Sequence, residues 1–197
     1  MPIESNPFST KFWTPGAIPF RFAEANESCE RLVTAFERHG SGQIVGPHGS
    51  GKSTLIESLK TIFQRNGYDI HHVTLNDRNR RLPKDFFDSL PGVRIVDGFE
   101  QLPFWNRWRL LRRTPERLLI VTHRPVGRLP ILYRTIPRFD IFMELVRRLG
   151  GNDTDVELYR LFETSGGNFR NAFLELYDRR TATCGRGSAR RAAPFCS

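Results

Sequence analysis

Nine consecutive residues, Gly46-Pro47-His48-Gly49-Ser50-Gly51-Lys52-Ser53-Thr54, constrain this chain more than any other stretch of it. Their glycines allow a tight backbone turn with little side-chain obstruction, and the segments on either side fix what the turn must join. Gln43 to Val45 reads as a short strand, and Lys52 to Arg65 places Leu55, Ile56, Leu59, Ile62 and Phe63 at helical spacing. A strand, a glycine loop and a helix in that order open a β-α-β unit and commit the chain to a sheet with helices on its faces. The same nine residues satisfy G-x-x-x-x-G-K-[ST]. In that pattern backbone N–H groups line a concave loop, and the following helix N-terminus adds a dipole that favours phosphate. Residues 46 to 54 are therefore the candidate cradle for the phosphates of ATP, with Lys52 directed at the β- and γ-phosphates and the Ser53 hydroxyl at Mg²⁺.

Four further short runs have strand character: Asp69 to Leu75, Val93 to Val96, Leu118 to Thr122 and Phe139 to Phe142. With Gln43 to Val45 they predict a five-stranded parallel sheet of the α/β class, because the stretches between them are long enough for helical crossovers. Asn26 to His39 predicts an amphipathic helix with Leu32, Val33 and Phe36 on one face and Asn26 or Ser28 as N-cap. Residues 1 to 25 hold Pro7, Phe8, Phe12, Trp13, Pro15, Pro19, Phe20 and Phe22, and read as an arm docked on the core, since a free tail would expose those rings. Residues 26 to 150 form the predicted core. From 151 to 182 the pattern changes to two helices, Asp153 to Glu163 and Asn168 to Arg180, joined by Ser165-Gly166-Gly167, which predicts a small C-terminal helical lid. Residues 183 to 197 read as a disordered basic tail.

Composition narrows the partners. The 197 residues carry 39% apolar and 26% charged side chains, which excludes a wholly disordered, collagen-like or coiled-coil chain. Thirty Lys and Arg against 21 Asp and Glu give a net charge of +9, and only four of the thirty are lysines. That excess suits an anionic partner. Cys29, Cys184 and Cys196 lack the spacing of a zinc site or a disulfide framework, which fits a reducing cytoplasm. No run approaches the roughly 18 apolar residues of a membrane span, so no membrane insertion is expected.

Val93-Arg94-Ile95-Val96-Asp97-Gly98-Phe99-Glu100 is an apolar strand with a carboxylate at its end. Asp97 there either holds Mg²⁺, a metal that needs hard oxygen ligands, or caps the next helix. Taken in order, these motifs resemble those of P-loop NTPases of the additional-strand type, the AAA+ and STAND ATPases, among them the bacterial ATPases of transposition, secretion and replication initiation. The resemblance spans roughly residues 5 to 180 and carries several implications. Many such ATPases place a glutamate directly after the metal-binding aspartate, where this chain has Gly98. The Asp-Gly-x-acid order is closer to STAND members and implies that Glu100 orients the attacking water. A fourth strand ending in Thr122-His123 implies Thr122 or His123 as the sensor of the γ-phosphate. Ser165-Gly166-Gly167-Asn168-Phe169-Arg170 is similar to the lid turn whose arginine, here Arg170, reaches the nucleotide. A cation in a first helical turn opposes the helix dipole unless an anion accompanies it. Arg134 or Arg138 is implied as an arginine finger given in trans, which requires a homo-oligomer. Asn6-Pro7-Phe8 and Phe12-Trp13 resemble an arm lying near the adenine, the alternative being an arm that only covers a sheet edge.

One segment stays open. Leu102 to Arg113 interleaves Phe104, Trp105 and Trp108 with Arg107, Arg109, Arg112 and Arg113. Either the aromatics pack on the sheet, as helices at this position ordinarily do, or they stack on bases while arginines hold phosphates. The function expected is a Mg²⁺-dependent ATPase converting ATP to ADP and phosphate. The alternative, favoured by Gly98, is a nucleotide-dependent switch or adaptor with little hydrolysis that binds DNA or a protein partner. A small-molecule kinase is a third reading, with Asp77 to Arg81 as its mobile segment.

Overall fold

The computed structural model describes residues 6–87, 92–112 and 117–188. Five strands, β1 (Ser41–Val45), β2 (Ile70–Thr74), β3 (Val93–Asp97), β4 (Leu118–Thr122) and β5 (Ile131–Arg134), form one sheet in the order β2-β3-β4-β1-β5. Every pairing is parallel. β4 lies between β1, which leads into the glycine loop, and β3, which ends at Asp97, so the sheet has the additional strand that the motif order implied. The fold is α/β, as the alternation of apolar runs predicts.

Both faces of the sheet are covered, and strand alternation divides the core accordingly. Val93, Ile95, Leu119, Val121 and Ile44 pack with Leu32, Val33 and Phe36 of α1 (Cys29–His39) and Leu55, Ile56, Leu59 and Phe63 of α2 (Lys52–Arg65). Val96, Leu118 and Ile120 point the other way and pack with Phe99, Leu102 and Leu110, the last from α3 (Phe104–Arg112). The N-cap of α1 is Ser28, whose hydroxyl accepts from the Arg31 N–H. Asp97 caps no helix with its side chain; its carboxylate instead accepts from Ser53.

A third cluster holds the helical lid. Phe142 and Val146 of α4 (Phe139–Arg148), Leu158 and Leu161 of α5 (Asp155–Thr164), and Ala172, Phe173 and Leu176 of α6 (Phe169–Ser188) are buried together with Phe8 from the N-terminal arm. The arm reaches both bodies. Asn6 Nδ2 donates to the Tyr177 carbonyl at 2.9 Å, and the Trp13 ring packs on Phe173 at 5.6 Å. Farther along, Phe20 and Phe22 pack against Tyr133 and the core.

The structure corrects three expectations. The fifth strand is Ile131–Arg134, whereas Phe139 to Phe142 begins α4. A four-residue apolar run fits a strand and a helix equally well, and here the deciding contacts are Phe142 and Val146, four apart and both fully buried against the lid. Helix α6 continues to Ser188, six residues into the stretch expected as a disordered tail; residues 189–197 and Arg113 lie outside the described residues. Finally, the aromatics of α3 do not pack on the sheet. Leu110 is its buried residue, while Phe104, Trp105 and Trp108 are exposed.

Candidate active site

Residues 46–51 cross from the end of β1 to the start of α2, with Gly49 and Gly51 in the left-handed region. The loop is buttressed from β5. Ser50 Oγ donates to the Pro47 carbonyl at 2.8 Å, which uses its one hydrogen, so Thr135 Oγ1, 2.6 Å away, donates to Ser50. The lid touches the loop directly: the Phe169 N–H donates to the Gly49 carbonyl at 3.3 Å.

Lys52, Ser53, Asp97, Glu100 and His123 converge beneath this loop. Lys52 Nζ lies 2.7 Å from the Gly46 carbonyl, 2.6 Å from the Pro47 carbonyl and 3.2 Å from His123 Nδ1. Three N–H donors thus meet three acceptors if His123 Nδ1 carries no hydrogen. Nε2 then bears the hydrogen and donates to Glu100 Oε1 at 2.7 Å. The other oxygen, Glu100 Oε2, is buried without a hydrogen-bond partner among the described residues. Burial pushes the Lys52 ammonium below its ordinary lysine value, with Glu100 and Asp97 pulling the other way. The His48 ring lies tilted against His123, centroids 3.6 Å apart, and burial, then the charges of His123 and Lys52, hold its pKa below the ordinary histidine value.

Ser53 Oγ donates to Asp97 Oδ2 at 2.9 Å. A hydroxyl from the loop helix and a carboxylate from the strand end form a pair of hard oxygens suited to Mg²⁺. Among the described residues no cluster of three or more His, Cys, Asp and Glu makes a self-sufficient metal site. A cation there would need ligands from the nucleotide as well.

Position 98 has no room for a side chain. Gly98 has φ +81°, and a Cβ on it would stand 2.6 Å from the Leu75 carbonyl oxygen, whose own residue donates its N–H to the Asp97 carbonyl. Glutamate does not fit where β2 leaves the sheet beside β3. A short 3₁₀ turn, Phe99–Gln101, instead swings Glu100 under the loop.

These groups floor a cleft of about 830 Å³. Its apolar wall comes from Trp13, Ile18 and Phe20 of the arm, Tyr133 of β5, and Ile141 and Phe173 of the lid, and Arg170 lines it from the first turn of α6. Of the two sensor candidates, His123 faces the cleft. Thr122 is buried, its hydroxyl donates to the Arg124 carbonyl at 3.1 Å, and it is not among the cleft-lining residues. Arg134 and Arg138 also lie outside the lining, and Arg138 forms a two-bond pair with Asp140 at 3.0 and 2.7 Å. Thr135 carried no sequence signal, and it meets the loop only through a contact between distant segments, as Asn168 meets Gly49 and His48 meets His123.

No family model matches the sequence, and no curated protein matches it. Solved structures do match. Cdc6p from Pyrobaculum aerophilum aligns over 91% of this chain and 67% of its own, with TM-score 0.58 and 16% identity. The Aeropyrum pernix ORC1 protein, solved in complex with DNA, aligns over 91% and 63%, with TM-score 0.55 and 16% identity. The likeness is one of fold: this chain shares its parallel-sheet α/β architecture with these two proteins. The chain spans about two thirds of the length of those two proteins. Among the described residues no helix is long and apolar enough to cross a membrane.

Proposed function

We propose that this chain binds ATP in the cleft beneath the loop and hydrolyses it to ADP and phosphate with Mg²⁺. The observation that carries the reading is Glu100, whose Oε1 is clamped by His123 while Oε2 sits buried and unpartnered in the same cluster as Lys52, Ser53 and Asp97. A buried carboxylate oxygen without a partner is costly, and a water placed to attack phosphorus would satisfy it.

In this reading Lys52 turns from its own loop carbonyls to the β- and γ-phosphates, which offer it stronger, charge-assisted bonds. Backbone N–H groups of residues 46 to 54 hold the remaining phosphate oxygens. Ser53 and Asp97 hold Mg²⁺, which when bound offsets the phosphate charge. Glu100 accepts a hydrogen bond from water and orients it, His123 keeps Glu100 in place and reports on the γ-phosphate, and Arg170 approaches from the lid. The apolar wall around Trp13 and Phe20 takes the base. Catalysis is then positioning plus charge stabilisation, and the cytoplasm supplies ATP and Mg²⁺.

A second reading, the switch with little turnover, is favoured by one observation. Lys52 Nζ is engaged by two carbonyls of its own loop, so ATP binding must rearrange the cluster. Phosphate release by wild type and Lys52→Ala separates the readings. Turnover that Lys52→Ala abolishes supports the ATPase, tight ATP binding without turnover supports the switch, and no ATP binding overturns both.

A further inference from the structure

The structure leaves one surface without a task. Helix α3, Phe-Trp-Asn-Arg-Trp-Arg-Leu-Leu-Arg, carries three arginines and no carboxylate, and its outward side is aromatic. Phe104, Trp105 and Trp108 are 68%, 73% and 47% exposed. The rings form a continuous ridge: Phe104 and Trp105 meet edge to face at 5.5 Å, and Trp105 and Trp108 at 6.5 Å. At its far end the Arg112 guanidinium lies 4.6 Å over the Trp108 ring. Trp105, Trp108 and Arg112 follow at spacings of three and four, so a single helix face presents two indoles and then a cation.

We propose that this ridge binds single-stranded nucleic acid, with bases stacking on Trp105 and Trp108 and Arg112 pairing with backbone phosphate. Three large rings side by side in water mark an interaction site more than a chance exposure. Charge selects the partner. Trp and Arg together also suit protein interfaces, but here the aromatic helix carries three arginines and no carboxylate of its own, on a chain with a net charge of +9, which favours a polyanion. The chemistry asked of a partner is a row of flat π-faces joined by regular negative charges, which is an unpaired polynucleotide. A duplex hides those faces and would meet only the arginines. Arg107 is excluded from the contact set because its Nε donates to the Leu102 carbonyl at 2.6 Å, where it braces the start of the helix. The proposal does not depend on ATP.

The test is tryptophan fluorescence titration of the full chain with dT20, rU20 and a dA·dT duplex of 20 pairs. Single strands are expected to quench the emission and to bind at least tenfold more tightly than the duplex. Comparing dT20 with rU20 assigns the sugar preference. Trp105→Ala/Trp108→Ala, both exposed positions, should retain the wild-type circular dichroism and melting temperature, and should weaken dT20 binding, followed by anisotropy of a labelled strand, by about 10-fold or more. Arg112→Ala should flatten the logarithmic salt dependence of binding by about 0.7, the value for one phosphate contact on a single strand. Equal affinity of wild type and the double tryptophan variant overturns the proposal, as does preference for the duplex. A self-association seen by sedimentation and abolished by the same double variant would assign the ridge to a second copy of this chain and overturn it as well.

Discussion

Gly49→Ala tests whether lid and loop act as one unit. Gly49 has φ +70°, and a Cβ on it would stand 1.9 Å from Asn168 Oδ1 and 2.5 Å from Asn168 Cγ. The left-handed backbone alone costs an alanine roughly 1–2 kcal/mol. Asn168 must also swing away, which removes the bond its Oδ1 accepts from the Asn171 N–H at the start of α6. Loss of such a cap costs about 1 kcal/mol more. Gly40→Ala supplies the control, because Gly40 has φ +69° and nothing within 4 Å of its Cβ position. In urea unfolding, Gly49→Ala should be less stable than Gly40→Ala by about 1 kcal/mol. Its ATP affinity should fall about tenfold or more while that of Gly40→Ala stays at wild type. Asn168→Ala removes the cap and the clashing atoms together, so the double variant Gly49→Ala/Asn168→Ala should cost about 1 kcal/mol less than the sum of the single variants. If Gly49→Ala and Gly40→Ala match in both stability and ATP affinity, the lid does not bear on the loop in the way argued.

Phe8→Ala should destabilise the protein by about 3–5 kcal/mol in the same assay, since Phe8 is fully buried in the lid cluster; a loss below about 1 kcal/mol would show that the arm is not part of the lid core. Lys52→Met should change the pH dependence of the melting temperature of the ligand-free protein. Burial lowers the native lysine's pKa below its unfolded value, so the charged form is penalised at low pH, and wild-type stability rises as pH climbs between the two values. The melting temperature of Lys52→Met minus that of wild type should therefore fall from pH 7 towards pH 10, and a difference that grows with pH would contradict the burial argument.

The sequence made the centre of the site legible because its chemistry is local. One strand, one loop and one helix hold residues 43 to 65 in register, so the placement of Lys52 and Ser53 beneath the loop could be read from spacing, and a carboxylate ending an apolar strand pointed to Asp97 as their neighbour. The edge was harder to read. Ile131–Arg134 is short and pairs with a single neighbour, β1, across a register irregularity at Gln43/Ile44. Phe139 to Phe142 has the same three apolar residues in four and competes with it by pattern, and the lid contacts of Phe142 and Val146 place it in a helix. That His123 and not Thr122 lines the cleft depends on how the chain leaves the end of β4, a property of sheet assembly. Gly98 departs from the resembled pattern, and the Leu75 carbonyl beside it gives a steric reason for glycine there that the sequence does not show. The exposure of Trp105 and Trp108 also could not be read from spacing, because a helix with those residues can bury or expose them with the same periodicity.

Glu100 bears most directly on the central claim, and its decisive measurement pairs equilibrium ATP binding with phosphate release for wild type and Glu100→Gln in Mg²⁺. The account predicts that Glu100→Gln binds ATP within a few-fold of wild type and that its phosphate release falls about 100-fold or more, the upper part of the range for a positioned acid or base. Phosphate release unchanged in Glu100→Gln would contradict it.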